Sequence, residues 1–507
     1  MKIHTETPFK AYNQHQLSFL PPSLEELLPS DHPVRTVSRV VDEIDLSPLI
    51  AEYKSGGTSS YHPAMLLKVL LYCYLENIYS TRSMEVAIRE RIPLLWLAGD
   101  NRPDHNTLAR FRSKRLKKSV EHIFKETVLL LVDAGLVSLK EAFTDGTKIE
   151  ANANRYTFVW GKAIKTSRNR IVRQLDELID YASSVAKSEE HLGSIGYEEI
   201  SADKVRETIN RINEHLQGHE IDPKVKQKLT YATKNWPDAL DRYEEQETIL
   251  GDRNSFSKTD HDATFMRMKD DHMMNGQLKP GYNMQVSTEQ QFVTNLTIHD
   301  SPTDPNTLKE HLASFEEKYA CVPENITADA GYGSNENYTF LEEKGIDGFV
   351  KYPGIHREER GKLSPYHPDS LEYNETENFF ICPVGNKMHH LDTISRKTKT
   401  GFIQRLDRYK AQGCRSCPLK KECHKGTHNR RIEVNHELRR QKKSVRERLY
   451  SEEGIKRRKR RCWEVETFFG DIKHNRGFTQ FNLRGMKNVL TESLMVAMSY
   501  NIRKMPA

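Results

Sequence analysis

The order of strands and helices between Ala142 and Lys344 is what most restricts this chain, because it confines the middle of the sequence to a mixed α/β fold. Ala142–Ala151 reads as a strand, with Phe143, Thr147 and Ile149 alternating on one side. Asp145 shares that side, where a carboxylate is costly to bury unless a cation or donor meets it. A turn aspartate ahead of Gly146 is the bland alternative. Gly281–Val286 and Phe292–Ile298, joined by a polar connection around Glu289, predict a hairpin. A helix from Asn306 to Lys318 follows. Ile326–Ala328 is then a short strand that runs into Asp329-Ala330-Gly331-Tyr332-Gly333-Ser334, and a helical stretch continues to Lys344. A carboxylate at a strand end, such as Asp329, is well placed for metal, since the backbone is fixed while the side chain faces the open edge.

A late helix adds a third acid. Val465, Phe468, Phe469 and Ile472 fall at i, i+3, i+4 and i+7, a single buried stripe. Glu466 and Lys473 are seven residues apart, close to two turns, so both emerge beside that stripe. Upstream, Lys456–Arg461 is unbroken positive charge, which self-repulsion opposes unless a polyanion is near. Between Arg439 and Arg461 there are twelve Lys/Arg against three Glu, whereas the whole chain carries only +6. Charge concentrated in this way is the footprint of a nucleic-acid backbone partner, with a solvated basic face as the alternative.

At 507 residues the chain has length for two or more domains. Its 36% apolar and 29% charged residues describe a soluble profile, without a run of about 18 apolar residues. The segment Met1-Lys2-Ile3-His4-Thr5-Glu6 lacks the apolar block of a signal peptide, which leads us to expect a cytoplasmic protein away from membranes. Leu17-Ser18-Phe19-Leu20-Pro21-Pro22 reads as an extended lead-in. From Pro63, a favoured first helical residue, Leu66, Val69, Leu70 and Cys73 form a helical stripe, so Cys73 is expected in a core. A second helix starts after Ser80, and a third follows Asp104 as N-cap and carries Arg110, Arg112, Lys114, Arg115, Lys117 and Lys118. Three short helices ending in a basic one suit a helix-turn-helix, and a generic bundle with a basic face suits the pattern equally. From about 163 to 259 two seams, Ile171-Leu175-Leu178-Ala182-Val185 and Val205-Ile209-Ile212-Leu216, predict an inserted helical hairpin. From Phe379 to Cys423 lie Cys382, Cys414, Cys417 and Cys423, four of the seven cysteines. In a cytosolic chain this clustering favours a closed Zn2+ site over disulfides, with reduced spectator thiols as the alternative and His424 as a possible substitute ligand.

Thr144-Asp145-Gly146, Ala328-Asp329-Ala330-Gly331-Tyr332 and Val465-Glu466 through Lys473 each resemble a motif of the DDE transposases of bacterial insertion sequences, and they stand in that family's order. The likeness extends to Phe478–Gly485 and to the helical N-terminal region, and so covers most of the chain. One departure stands out: the family's arginine four residues before the Glu is Cys462 here, and the nearest arginine is Arg461. The resemblance implies a ribonuclease-H-like core of residues 135–160, 260–355 and 460–507. Around it would stand a helical DNA-binding domain of residues 1–130, a helical insertion of 161–259 and a Cys-rich insertion of 360–435. It implies a transposase that cuts and rejoins the ends of its own element. Asp145, Asp329 and Glu466 would hold Mg2+ or Mn2+, Lys473 would contact a phosphate, and Arg110, Arg112, Lys114, Arg115, Arg457, Arg458, Arg460 and Arg461 would bind DNA. With two metal ions, water would release a 3′-hydroxyl that then attacks target DNA. The partners implied are double-stranded DNA, both element ends and target, and a second copy of the chain in a dimer assembled on DNA, with the protein nucleoid-associated when bound. A nuclease with the same core but no strand transfer, or an inactive transposase-derived regulator, are the competing readings.

Overall fold

The computed structural model describes residues 23–53, 60–186, 196–268 and 276–506; the lead-in Leu17–Pro22 lies outside them. Five strands make up the body of its six-stranded central sheet: β1 (Glu141–Glu150), β2 (Leu278–Glu289), β3 (Phe292–His299), β4 (Asn325–Ala328) and β5 (Asp347–Val350). They lie in the order β3-β2-β1-β4-β5. β1 is antiparallel to β2, with Asp145 opposite Val286, and parallel to β4, with Thr144 opposite Ala328. β4 and β5 are parallel. This is the ribonuclease-H-like arrangement expected from the motifs, with one short extra strand, Thr264–Arg267, paired to the start of β2. The β2–β3 hairpin turns at Gln290 and Gln291, both at positive φ (52° and 64°), where Asn-Gly would be the usual choice. Tertiary contacts hold that turn: the Gln291 amide donates to Glu464 Oε2 at 2.6 Å, and Lys504 Nζ donates to Gln291 Oε1 at 2.8 Å.

The helix Glu452–Gly470 packs across β1, β2, β4 and β5 and continues as a wider π turn, Asp471–Asn475. Val465, Phe468 and Ile472 are fully buried, as their spacing requires, each worth about 1.5–3 kcal/mol of apolar burial. After it, Phe478–Gly485 runs beside the end of β1: the Glu150 amide donates to Thr479 O at 3.2 Å, and the Phe481 amide to Glu150 O at 2.9 Å.

The N-terminal helices share the core of the sheet. The C-terminal helix Met486–Lys504 is buried almost all round from Val489 to Ile502, with β3 on one side and the helices Pro63–Leu75 and Lys117–Asp133 on the other. Leu66, Val69, Leu70 and Cys73 belong to the same cluster as Met284, Val286 and Phe468. Burial at Cys73 pushes its thiol up to about 12, so it is a core residue, as expected. Asp104 does cap a helix, its Oδ1 accepting from the Thr107 amide at 2.7 Å. That helix, His105–Arg110, runs through a π segment, Phe111–Leu116, into Lys117–Asp133, and a further short helix, Ile92–Ala98, precedes it.

The helical insertion has three arms rather than the two of a hairpin: Gly161–Ala186, Ala202–His215 and Pro223–Leu250. Both expected seams enter one cluster, and Leu229, Ala232, Trp236 and Leu240 complete it. This third stripe is sparse and has Pro237 beside its tryptophan, inside the helix, which hides it from a periodicity reading. The Cys-rich insertion is a five-stranded antiparallel sheet, Tyr373–Asn374 to Arg431–Val434, around Phe380, Met388, Tyr409 and Ile432.

Candidate active site

Because β1 and β4 are parallel neighbours with Thr144 opposite Ala328, Asp145 and Asp329 follow one another across adjacent strands. The Gly146 amide donates to Asp145 Oδ1 at 2.8 Å, and Asp329 caps the turn Ala330–Tyr332, accepting from the Ala330 amide at 2.7 Å. On the helix above, Arg461 is directed at both strands. Its Nη1 donates to Asp145 Oδ2 at 3.0 Å, and its Nη2 lies 4.0 Å from Glu466 Oε1. Burial disfavours the charged guanidinium, but Asp145 first, then Asp329 and Glu466, outweigh it, so the Arg461 pKa is raised. The three acids, remote in sequence, therefore gather around one cation. Glu466 is the most open of them, its side chain 57% exposed against 14% for Asp145. Lys473 lies half-buried on the π turn that continues the helix. Cys462, at the family's arginine position, points outward, while Arg461 one residue earlier reaches the acids.

Among the described residues, no group of three or more His, Cys, Asp or Glu is spaced to hold one metal ion. The donor set around Arg461 is nevertheless all carboxylate oxygen, the hard chemistry that Mg2+ and Mn2+ take, and it already surrounds a positive charge.

The basic residues divide differently from the expectation. Arg457 pairs with Glu141 at 2.8 Å and Glu453 at 2.6 Å, Arg458 with Glu359 at 2.8 Å, and Arg460 with Glu141 at 2.7 Å and Glu464 at 2.8 Å. The arginines of the run that seemed to need a polyanion thus find their anions within the chain, and Arg457 and Arg461 are buried. Arg457 and Arg461, buried in these pairs, are corrected from DNA contacts to internal ion pairs; Arg458 and Arg460 are paired as well but keep part of their surface open. Arg112 is likewise withdrawn: it is 4% exposed and donates to Tyr74 Oη and Tyr79 O, both at 2.9 Å. Arg110 and Lys114 are exposed, and with Arg115, whose guanidinium stacks 3.8 Å from the Tyr53 ring, they line an open cleft with Ser60, Tyr61 and Thr107.

The four cysteines do line one small cavity, together with His424 and Arg430. Arg430 Nη1 donates to Cys423 Sγ at 3.0 Å, and its backbone amide donates to Cys414 Sγ at 3.4 Å. His424 Nε2 is buried there without a hydrogen-bond partner, and its pKa is lowered by burial and by Lys420 and Arg430.

Sequence reasoning missed several residues. Glu464, fully buried, pairs with Arg460 one turn earlier on the same helix and ties that helix to the hairpin turn, and nothing but its phase distinguishes it from Glu466. A Cβ at Gly146 would crowd the Gln285 amide and stand 2.9 Å from Asp304 Oδ1, so both side-chain ends would have to shift to admit it. Tyr332 is buried, its hydroxyl donating to Gln285 Oε1. Asp304, in Thr303-Asp304-Pro305, carries only the local signal of a loop.

Two protein families match the chain. One, described as Transposase DDE domain, matches residues 381–506, and the other, Transposase domain (DUF772), matches residues 22–114. The first match contains Glu466, Lys473 and the cysteines, and the second contains Arg110, Arg112 and Lys114. No curated protein matches the chain.

Proposed function

We propose, on the premise that this chain belongs to the DDE transposases of insertion sequences, that it binds the ends of its own mobile element, cleaves them and joins them to target DNA. The observation that carries this reading is the meeting of Asp145, Asp329 and Glu466 around Arg461. These three carboxylates would hold Mg2+ or Mn2+. When bound, the metal supplies activation of the attacking oxygen and stabilisation of the leaving oxygen in displacement at phosphorus.

The chain's own side chains do the rest. Arg461 keeps the three acids facing one point against their mutual repulsion. Lys473, on the turn after the helix, contacts a phosphate of the bound end. Arg110, Lys114 and Arg115, in their open cleft, grip the backbone of the duplex, with Tyr53 stiffening Arg115. The ion pairs of Arg457 and Arg460 with Glu141 hold the helix on β1, so that Glu466 sits at a fixed height over that strand. We place a structural Zn2+ in the cysteine-lined cavity, supported by its soft donors and the orphaned His424 Nε2. The working assembly is a dimer on DNA.

The test incubates the protein with DNA carrying the element's ends and a supercoiled target in Mg2+. Cleaved ends bearing 3′-hydroxyls together with joined products are expected. Cleavage without joining would make it a nuclease, and no cleavage by the wild type would sink the proposal.

A further inference from the structure

Asp304 lies between the two strand-borne acids, although it belongs to neither motif. Its Oδ1 is 2.9 Å from the point where a Cβ on Gly146 would stand, and its Oδ2 is 3.4 Å from the corresponding point on Gly331. Gly146 follows Asp145, and Gly331 is two residues after Asp329, so Asp304 stands beside both turns, most closely at Gly146, where a Cβ would crowd it. Its hydrogen-bond donors are neutral amides rather than cations: Asn283 Nδ2 at 2.8 Å and Gln285 Nε2 at 3.2 Å, both on Oδ1. Gln285 in turn accepts from Tyr332, the residue that closes the Asp329 turn. Burial first, and then Asp304, Asp145 and Asp329 in that order, raise the Tyr332 pKa, so one hydroxyl lies within Coulombic reach of all three carboxylates.

We infer that Asp304 is a fourth carboxylate of the catalytic centre, held by Asn283 and Gln285 beside Asp145 and Asp329 so that it takes part in binding the divalent cation. The inference rests on the proposed reading of Asp145 and Asp329 as metal-holding residues. Three carboxylates share the single guanidinium of Arg461, and Asp304 beside two of them adds a further negative charge that its amide donors orient without neutralising. Such a site favours a divalent cation over water, and an oriented carboxylate in or beside the ligand set typically contributes about 10–100-fold in metal affinity.

Asp304→Asn keeps an oxygen for Asn283 and Gln285 and nearly the same volume, and removes only the charge. Mn2+ alone is the probe, titrated into the full chain and followed by electron paramagnetic resonance and by the rise in unfolding temperature. We expect Asp304→Asn to bind Mn2+ about tenfold more weakly or worse, with its metal-free unfolding temperature and its DNA binding in EDTA unchanged. Wild-type Mn2+ affinity in a folded Asp304→Asn protein overturns the inference. If that variant folds poorly without metal, Asp304→Ser serves as a second neutral variant under the same criterion. Asp145→Asn and Asp329→Asn separate the two layers of the argument. If they lose Mn2+ and Asp304→Asn does not, only the fourth carboxylate fails; if none of the three loses Mn2+, the metal reading of the centre fails with it.

Discussion

Arg112→Met tests the reassignment of a basic residue from DNA contact to buried anchor. The guanidinium donates to Tyr74 Oη and Tyr79 O, and it lies within Coulombic reach of Glu492, itself fully buried on the C-terminal helix. Methionine keeps most of the length and none of the donors. Two hydrogen bonds from a charged group, at about 1.5 kcal/mol each, give about 3 kcal/mol. Glu492 left without its counter-charge brings the total to the 3–5 kcal/mol typical of breaking a buried pair. Glu492 keeps three donors, the amides of Asn482 and Leu483 and the Asn482 side chain, all at 2.9 Å, which places the cost toward the lower end. The loss should depend on pH. Burial raises the Glu492 pKa above its unfolded value and Arg112 opposes that rise, so removing Arg112 raises it further. A carboxylate with a raised folded pKa costs stability as pH climbs from its unfolded value, about 4.3, toward the folded one. The deficit of Arg112→Met should therefore be full at neutral pH and shrink below about pH 4, where Glu492 is protonated in both states. Urea unfolding of both proteins at the two pH values measures this. A variant as stable as wild type at neutral pH but with weakened DNA binding would refute the buried-anchor argument and restore Arg112 to the DNA surface.

Glu466→Gln should abolish cleavage while leaving the unfolding temperature and DNA affinity nearly intact, because its side chain is largely exposed and the stripe beneath it is unchanged; normal cleavage by this variant would remove Glu466 from the catalytic set. Glu464→Gln, two residues away, should instead lower stability by about 1–3 kcal/mol, since it weakens a buried charge-assisted pair with Arg460, and urea titration separates the two. Joint replacement of Arg110, Lys114 and Arg115 by alanine should flatten the salt dependence of DNA binding by up to about 0.9 for each phosphate no longer neutralised, whereas replacing Arg457 and Arg460 should chiefly destabilise the fold by stripping Glu141 of its partners. Metal analysis of the purified chain should find one Zn2+ that Cys417→Ser loses, and zinc at background in both proteins would leave the cysteines as spectators.

The parts of the fold legible in the sequence were those whose signal is local. The hairpin, the stripe of Val465, Phe468 and Ile472, and the Asp104 cap each depend on residues within about two turns of one another, and each is where the spacing puts it. The strand-borne acids were legible for a related reason: a carboxylate among alternating apolar residues is anomalous on its own. Charge was less informative. Lys456–Arg461 repel one another in sequence, but Glu141, more than 300 positions away, neutralises two members of the run. A periodicity reading has no access to such pairings, and the same blindness kept Asp304 out of view, since its place beside the Asp145 and Asp329 turns arises only on folding. The third helical arm escaped for the opposite reason, because its apolar positions are too few and are interrupted by proline.

The shared core of the first and last helices sets an order of events during synthesis. Arg476 donates to Leu75 O across 401 positions, and the helices Pro63–Leu75 and Lys117–Asp133 complete their packing only on Met486–Lys504. At about 5–20 residues per second, a ribosome takes some tens of seconds to cover that interval. Throughout that time the nascent basic cleft rests on an unfinished core, and an apolar surface is open to other nascent chains. The cleft of Arg110, Lys114 and Arg115 therefore gains its scaffold only once Met486–Lys504 has been made, so a product truncated before that helix would carry the segment without the core that presents it. Such fragments should be cleared by proteolysis rather than persist as competitors for the element's ends.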